Sequence, residues 1–161
     1  PSDTVISITE PNPRLEVRLL RIATLDSVHT VATSRASSAW RREFEERRAL
    51  GLGTFFTRDQ LKAYDGRMLR QVLESVRGLR TTASGDTLVS TRRNCFVHVY
   101  LDAMPLYVGR AKQDPPKMSM FAPENIEAIE YYAGPAETPI TLSRLNATCG
   151  VLVIHTRESP E

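Results

Sequence analysis

Apolar and polar positions alternate most clearly in the second half of the chain, where the pattern predicts strands. Residues 96–101 form one predicted buried strand. Residues 151–156, which follow Gly150, form another that is apolar on both faces. Between them in sequence, the apolar run 128–132 follows a short turn and ends before Gly134. A strand that is apolar on both faces usually lies inside a sheet, so we expect residues 151–156 to form a central strand.

The segment from Ser37 to Gly51 has the spacing of a helix. Ser37 or Ser38 stands at the N-cap position after a polar hinge, and Gly51 follows the predicted end. Trp40 and Phe44 lie four residues apart and therefore share one face. The charged residues around them alternate in sign, which is typical of a solvated helix with salt bridges. A docking surface for a partner is the alternative.

Two further helices are predicted between residues 57 and 78. Thr57 and Gln60 form a capping box, so that a helix begins there and runs to about Tyr64. Asp65 is the predicted N-cap of the next helix, which ends at Gly78. The apolar face of that helix consists of Leu69, Val72, Leu73 and Val76.

Two hairpins are predicted between residues 79 and 108. Segments 79–82 and 87–91 flank the turn sequence 84–86, and residues 106–108 are expected to pair back on strand 96–101. Residues 109–120 are polar and are expected to form a loop. The predicted shared core consists of Val97, Val99, Leu101, Val151, Val153, Leu69, Val72 and Leu73.

Residues 1–33 form a predicted extended β arm or the tail of a β-sandwich, and residues 34–161 form the main domain. The arm has strand-like alternation, but it is too short to close a β-domain of its own. Unpaired strands expose backbone donors and acceptors that another chain can satisfy by edge addition. We therefore expect the arm to hold a partner. An extra strand on the chain's own sheet is the alternative.

Length and composition are those of an ordinary globular protein. The chain has 161 residues, of which 41% are hydrophobic and 25% charged, and its net charge is +2. This length suggests one domain, or one domain with an arm. Arginine dominates the 21 basic residues, but acidic residues nearly match them in number, so nucleic-acid binding is disfavoured. No run approaches the roughly 18 apolar residues that a membrane helix needs.

The two cysteines, Cys95 and Cys149, each stand directly before a predicted strand. If those strands are parallel neighbours, the two sulfur atoms begin side by side and can form a disulfide. Such a bond indicates an oxidising compartment. Two unrelated buried thiols are the alternative.

The histidines and aspartates do not form a recognisable catalytic or metal-binding set, so we expect no catalytic, cofactor-binding or metal site. His98 and His155 would approach each other if their strands pair, but further zinc ligands at usable spacing are lacking. Asp102 follows a buried strand, as many catalytic aspartates do. A turn in which this side chain bonds its own backbone is the favoured interpretation.

The glutamates Glu124, Glu127 and Glu130 have the spacing of one helix face, which raises the possibility of a glycosidase carboxylate pair. Glutamates at a helix N-terminus are also stabilised by the helix dipole, which favours a structural role. The sequence Gly51-Leu52-Gly53 lacks the third glycine and the following lysine of a phosphate-binding loop. The candidates together predict a protein that is not an enzyme.

Three motifs, in the order in which the family has them, resemble the plug domain of TonB-dependent receptors, and the last motif consists of two parts. Residues 126–135 (IEAIEYYAGP) and 150–157 (GVLVIHTR) resemble the closing half of these plugs. Residues 67–80 and 97–105 (VHVYLDAMP) resemble two upstream plug segments. Ala103 stands where the family usually has glycine, and the two cysteines are additions. The arm loosely resembles the end of a carboxypeptidase-regulatory-like β-domain.

The expected fold is α+β: a small mixed β-sheet with two or three helices packed on one side of it, plug-domain-like, with an extended N-terminal β arm. We expect a stand-alone, non-catalytic, plug-like periplasmic module, peripheral to a membrane, that binds a protein partner and no cofactor. The first alternative is the one that the resemblance itself implies: the plug of a TonB-dependent outer-membrane receptor, of which this chain would be a fragment. Another is a peripheral accessory subunit on the periplasmic face of a large membrane complex, such as a photosynthetic reaction-centre assembly.

Overall fold

The computed structural model describes residues 32–82, 86–142 and 147–157. Most of the predicted arm and part of the first hairpin turn lie outside these ranges. The helices are α1 (Ala32–Leu50), α2 (Arg58–Leu61), which a 3-10 turn at Lys62–Tyr64 extends, and α3 (Leu69–Leu73). Further 3-10 turns lie at Met118–Met120 and Pro123–Asn125. The strands are β1 (Thr54–Thr57), β2 (Leu79–Thr81), β3 (Leu88–Ser90), β4 (Cys95–Phe96), β5 (His98–Leu101), β6 (Met104–Tyr107), β7 (Ile126–Tyr132) and β8 (Val151–Thr156).

The fold is α+β, as expected, and its strands form two sheets. The larger sheet has the order β1-β7-β8-β5-β6, in which β8 pairs parallel with β5 and antiparallel with β7. The prediction of β8 as a central strand is therefore confirmed. The smaller sheet is the antiparallel meander β2-β3-β4. Both predicted hairpins form, β2 with β3 and β5 with β6.

The main hydrophobic core lies between one face of the larger sheet and helices α2 and α3. Val99 of β5 pairs in register with Leu152 of β8, and both side chains are buried in this core. The predicted apolar face of α3 packs against them, as do Ile129 and Ile154. Since each fully buried aliphatic side chain contributes about 1.5–3 kcal/mol, this layer supplies most of the driving force for folding.

The opposite face of the larger sheet buries a second, smaller set of side chains. Val151 and Val153 lie here, beside Tyr100 and Tyr132. The prediction that Val151 and Val153 share a core with Val99 is therefore wrong. Residues paired across adjacent strands point to the same face, so Leu152, the partner of Val99, takes that place and its two neighbours point away.

Helix α1 covers this second face, so the helices lie on both sides of the sheet rather than on one. The helix begins at Ala32, earlier than the expected N-cap at Ser37 or Ser38. No glycine or proline interrupts residues 32–50, and the backbone therefore continues as a helix through both serines. In the part of the chain that the structure describes, no helix has the length and apolar character needed to cross a membrane.

The capping prediction for the two short helices is half confirmed. Thr57 and Gln60 form the expected capping box at the start of α2. Asp65, in contrast, does not cap α3, whose N-cap is Met68. The Asp65 carboxylate instead accepts hydrogen bonds from Arg58. These bonds join two ionised groups and tie the segment before α3 back to α2.

Candidate functional site

Glu130 of β7 is the one carboxylate that is buried among the described residues, and it lies on the sheet face that α1 covers. Its side chain is fully buried. One carboxylate oxygen accepts a hydrogen bond from Arg47 Nη2 at 2.7 Å and contacts His155 Nε2 at 2.6 Å. The other oxygen accepts from Arg47 Nε at 2.8 Å and from the Tyr132 hydroxyl. We call these four residues the Glu130 cluster.

Strand alternation and register bring the cluster together. Glu130 and Tyr132 are two residues apart on β7 and therefore share a face. Glu130 pairs with Val153 of β8, and His155 is the next residue of β8 on that same face. Arg47 comes from the last turn of α1, 83 residues before Glu130.

Aromatic rings cover the cluster on the side of α1. The Trp40 ring stacks on the His155 ring at a centroid distance of 4.4 Å and an angle of 6°. Phe44, one helical turn later, is buried and meets His155 and Phe55 edge to face. Trp40, Phe44 and Arg47 therefore form one stripe of α1, which seals the carboxylate from water.

The electrostatics favour an ionised carboxylate. Burial raises the pKa of Glu130, but the hydrogen bonds from Arg47, His155 and Tyr132 outweigh burial and lower that pKa to about 2. The bond to Glu130 raises the pKa of Arg47. Burial, followed by the bond to Glu130, raises the pKa of the Tyr132 hydroxyl. The cluster thus holds a buried anion and cation at any ordinary pH.

This arrangement suits anchoring better than acid–base chemistry. Both carboxylate oxygens are already engaged, and Glu130 presents no exposed surface to a substrate. A general base needs a proton acceptor within reach of the reacting group. The geometry instead joins α1 to the sheet, because removal of either Arg47 or Glu130 would leave a buried charge without its partner.

A cleft of about 250 Å³ runs beside the anchored helix. Arg41 lies over the Trp40 ring at 5.5 Å and forms an ion pair with Glu127 at 3.5 Å. Tryptophan and arginine are the residues that most often dominate the energy of protein interfaces. The cleft is lined by Trp40, Arg41, Phe44, Glu45, Thr57, Arg58, Glu127 and Ala128.

The disulfide between Cys95 and Cys149 is present, with an S–S distance of 2.01 Å. It joins β4 of the smaller sheet to the segment that leads into β8 of the larger sheet. The two cysteines meet for the predicted reason: β5 and β8 are parallel neighbours, and each cysteine lies shortly before one of these strands. The bond therefore ties the two sheets together at the end where both strands begin.

The two strand histidines do not come together. His98 pairs with Val151, whereas His155 lies four residues further along β8, about 13 Å away at the usual rise of a strand. His98 is buried beside a recess of about 500 Å³ next to the disulfide, and burial lowers its pKa. No group of three potential metal ligands exists among the residues that the structure describes.

The glutamate candidates take positions that differ from those expected, whereas Asp102 lies in the expected turn but bonds a different partner. Glu124 lies in a 3-10 turn, whereas Glu127 and Glu130 lie on β7, so the three do not share a helix face. Asp102 stands in the β5–β6 turn, as predicted, with a φ of 47°. Its carboxylate accepts hydrogen bonds from the amide and hydroxyl of Thr156, 54 residues away, rather than from its own backbone.

Sequence reasoning missed the role of Arg47, Glu130 and His155 as one unit. One usable signal was present: Glu130 is a lone charge inside the apolar run 128–132. A carboxylate buried in a strand needs a cation or several donors. The sequence did not indicate which of the many arginines would supply them.

Comparison with known proteins gives no family assignment. No protein-family model and no curated protein matches the chain. Among solved structures, the ferric enterobactin receptor (PfeA) in complex with BCV-L6 is similar at 16% identity and a TM-score of 0.47. A mutant of this receptor from Pseudomonas aeruginosa, in complex with enterobactin, is similar at 17% identity and the same TM-score. Each match covers 66% of this chain and 18% of the receptor chain, so this chain spans under a fifth of the receptor's length.

Proposed function

We propose that this chain is a non-catalytic, plug-like protein-interaction module that acts on the periplasmic side of a membrane. The observation that carries the proposal is the combination of Trp40 and Arg41 beside an open cleft on a firmly anchored helix. The Glu130 cluster fixes α1 on the sheet, so the helix presents this surface in one orientation. A preformed surface of this kind binds a partner at a lower entropic cost.

The plug-like part of the proposal is supported by where the resembling segments lie. Residues 97–105 form β5 and its turn, residues 126–132 form β7, and residues 150–157 form β8. These three strands are consecutive neighbours in the larger sheet. The resembling segments 97–105, 126–132 and 150–157 therefore build one continuous structural unit. The remaining resembling segment, residues 67–80, contains α3, which packs on that unit, and the start of β2 in the smaller sheet.

The compartment is supported by the disulfide. Disulfides persist in oxidising compartments such as the bacterial periplasm and are rare in the cytosol.

The plug of a larger outer-membrane receptor is the second candidate, which the order of the three resembling segments favours. The reading frame beyond Glu161 distinguishes the two candidates, because a receptor requires a long continuation. A peripheral accessory subunit of a membrane complex would instead co-purify with that complex in a fixed ratio.

Site-specific photo-crosslinking tests the proposed function. Glu45 lines the cleft and its side chain is about half exposed, so it accepts a benzoylphenylalanine without loss of a buried contact. Glu74, exposed at the end of α3 on the other side of the sheet, is the matched control position. In cells, we expect one discrete crosslinked protein from position 45 and none from position 74. Equal crosslinking at both positions, or none at either, would contradict the proposal.

A further inference from the structure

Two sets of arginines among the described residues differ in pairing. Those of α1 and the first turn of α2, for example Arg42, Arg48 and Arg58, form ion pairs with carboxylates. Four exposed arginines in and beside the smaller sheet form no ion pair with any described residue. We call these four, which are Arg77, Arg80, Arg92 and Arg93, the arginine surface.

Hydrogen bonds place the members of the arginine surface at one end of the smaller sheet. Arg80 Nη2 donates to the side chain of Asn94 at 2.6 Å, which holds Arg80 beside the turn that carries Arg92 and Arg93. The Thr91 amide donates to the Gly78 carbonyl at 2.9 Å. This bond continues the β2–β3 pairing and brings Arg77 next to the same turn. The arrangement concentrates positive charge at one end of the smaller sheet, where it attracts an anion.

A recess of about 180 Å³ opens beside the arginine surface. Arg92 and Arg93 line one side, and the segment 133–137 lines the other. The Glu137 carboxylate faces the recess and accepts a hydrogen bond from the Ala133 amide at 3.0 Å. The recess therefore offers guanidinium donors together with one carboxylate acceptor.

We infer that the arginine surface binds an acidic segment of a protein partner, with a carboxylate side chain in the recess. This inference rests on the proposed function and names the chemistry of the partner. Arginine forms bidentate hydrogen bonds with carboxylates, which a lysine cannot form. A peptide carries N–H donors beside its carboxylates and can satisfy Glu137 as well as the arginines. A lipid phosphate group offers only acceptors to the same recess.

Binding of a fluorescein-labelled octaglutamate peptide to the full chain, followed by fluorescence anisotropy, tests the inference. The variant R80Q/R92Q/R93Q removes three charges from the arginine surface. The matched control R42Q/R48Q/K62Q removes three exposed charges that are ion-paired within the chain. We expect the first variant to lose at least about 10-fold in affinity and the control to lose less than about 2-fold. The affinity of the unmodified chain should fall when NaCl rises from about 50 to about 300 mM.

Two outcomes would overturn the inference. Equal losses in both variants would show that net charge alone attracts the peptide. Arginine-dependent binding to phosphatidylglycerol vesicles without binding to the peptide would assign the surface to lipid.

The variant R92K/R93K, which keeps both charges, replaces the glutamine variant if the latter does not fold. We expect this lysine variant to bind the peptide more weakly than the unmodified chain, because lysine cannot form the bidentate hydrogen bonds. Crosslinking from position 45 is an independent readout, so a failed peptide assay beside a positive crosslink rejects this inference and leaves the proposed function standing.

Discussion

Arg47 and Glu130 form a bidentate ion pair that joins helix α1 to strand β7 of the larger sheet. Two guanidinium nitrogens of Arg47 bond the two carboxylate oxygens of Glu130, at 2.8 and 2.7 Å. The Arg47 side chain is only 18% exposed and that of Glu130 is not exposed at all. The position of α1, and of everything that it presents to a partner, depends on this contact.

Replacement of Arg47 by alanine should therefore destabilise the fold strongly. The change leaves the Glu130 anion buried without its main partner, and we expect a loss of about 3–5 kcal/mol in the free energy of unfolding. The control Arg42→Ala breaks an exposed ion pair with Glu46 and should cost less than about 0.5 kcal/mol. Urea unfolding of both variants measures the difference. Similar values for the two would mean that α1 does not depend on this pair.

Stability should also fall in acid because of Glu130. Its pKa is lowered from 4.5 to about 2, so the stabilisation is present above about pH 4.5 and is lost as pH falls through 2. A shift of this size corresponds to about 3 kcal/mol. Unfolding measured at several pH values should show a steep decline in this window. The variant Glu130→Gln, less stable at neutral pH, should show a much shallower decline, and an unchanged slope would assign the acid sensitivity to other groups.

Ala103→Gly should stabilise the chain. Ala103 has a φ of 67° in the β5–β6 turn, and an alanine in this left-handed region costs about 1–2 kcal/mol relative to its usual backbone. Glycine relieves this strain but costs about 0.5–1 kcal/mol in backbone entropy on folding, so we expect a net gain of about 0.5–1 kcal/mol. The control Ala111→Gly, at an exposed turn without positive φ, should not stabilise. Thermal unfolding distinguishes the two, and a loss at position 103 would show that the turn tolerates alanine without strain.

Loss of the disulfide should lower stability by about 4 kcal/mol, because the bond between Cys95 and Cys149 closes a loop across 54 positions. Unfolding of the variant C95S/C149S, compared with the unmodified chain in the presence and absence of a reductant, measures this contribution. The reductant should have no effect on the variant. If it destabilises both proteins equally, the bond does not account for the change.

The predicted role of the arm, residues 1–33, of which 1–31 lie outside the described ranges, is testable by truncation. A chain that begins at Ala32, where α1 begins, should keep nearly the same free energy of unfolding if the arm binds a partner. It should also lose the crosslinked product from position 45 if the arm contributes to the same association. A loss of several kcal/mol would show that the arm completes the chain's own core.

Local patterns in the sequence were sufficient for the main elements. The two-sided apolar run 151–156 identified the central strand, and the capping box at Thr57 identified the start of α2. The positions of Cys95 and Cys149 before two strands anticipated the disulfide. These signals succeed because backbone geometry and strand burial are determined within a few residues of chain.

Only the tertiary structure decided which faces meet and which charges pair. The register of β5 against β8 placed Val99 with Leu152 rather than with Val151 or Val153, and a shift by one residue would reverse that choice. The pairing of Arg47 with Glu130 spans 83 positions, and the neighbouring arginines of α1 offer the same side-chain chemistry. The phase of the helix, the register of the sheet and the docking of α1 together select Arg47 as the partner of Glu130. Each of these arises from packing between segments far apart in the chain, which local pattern does not encode.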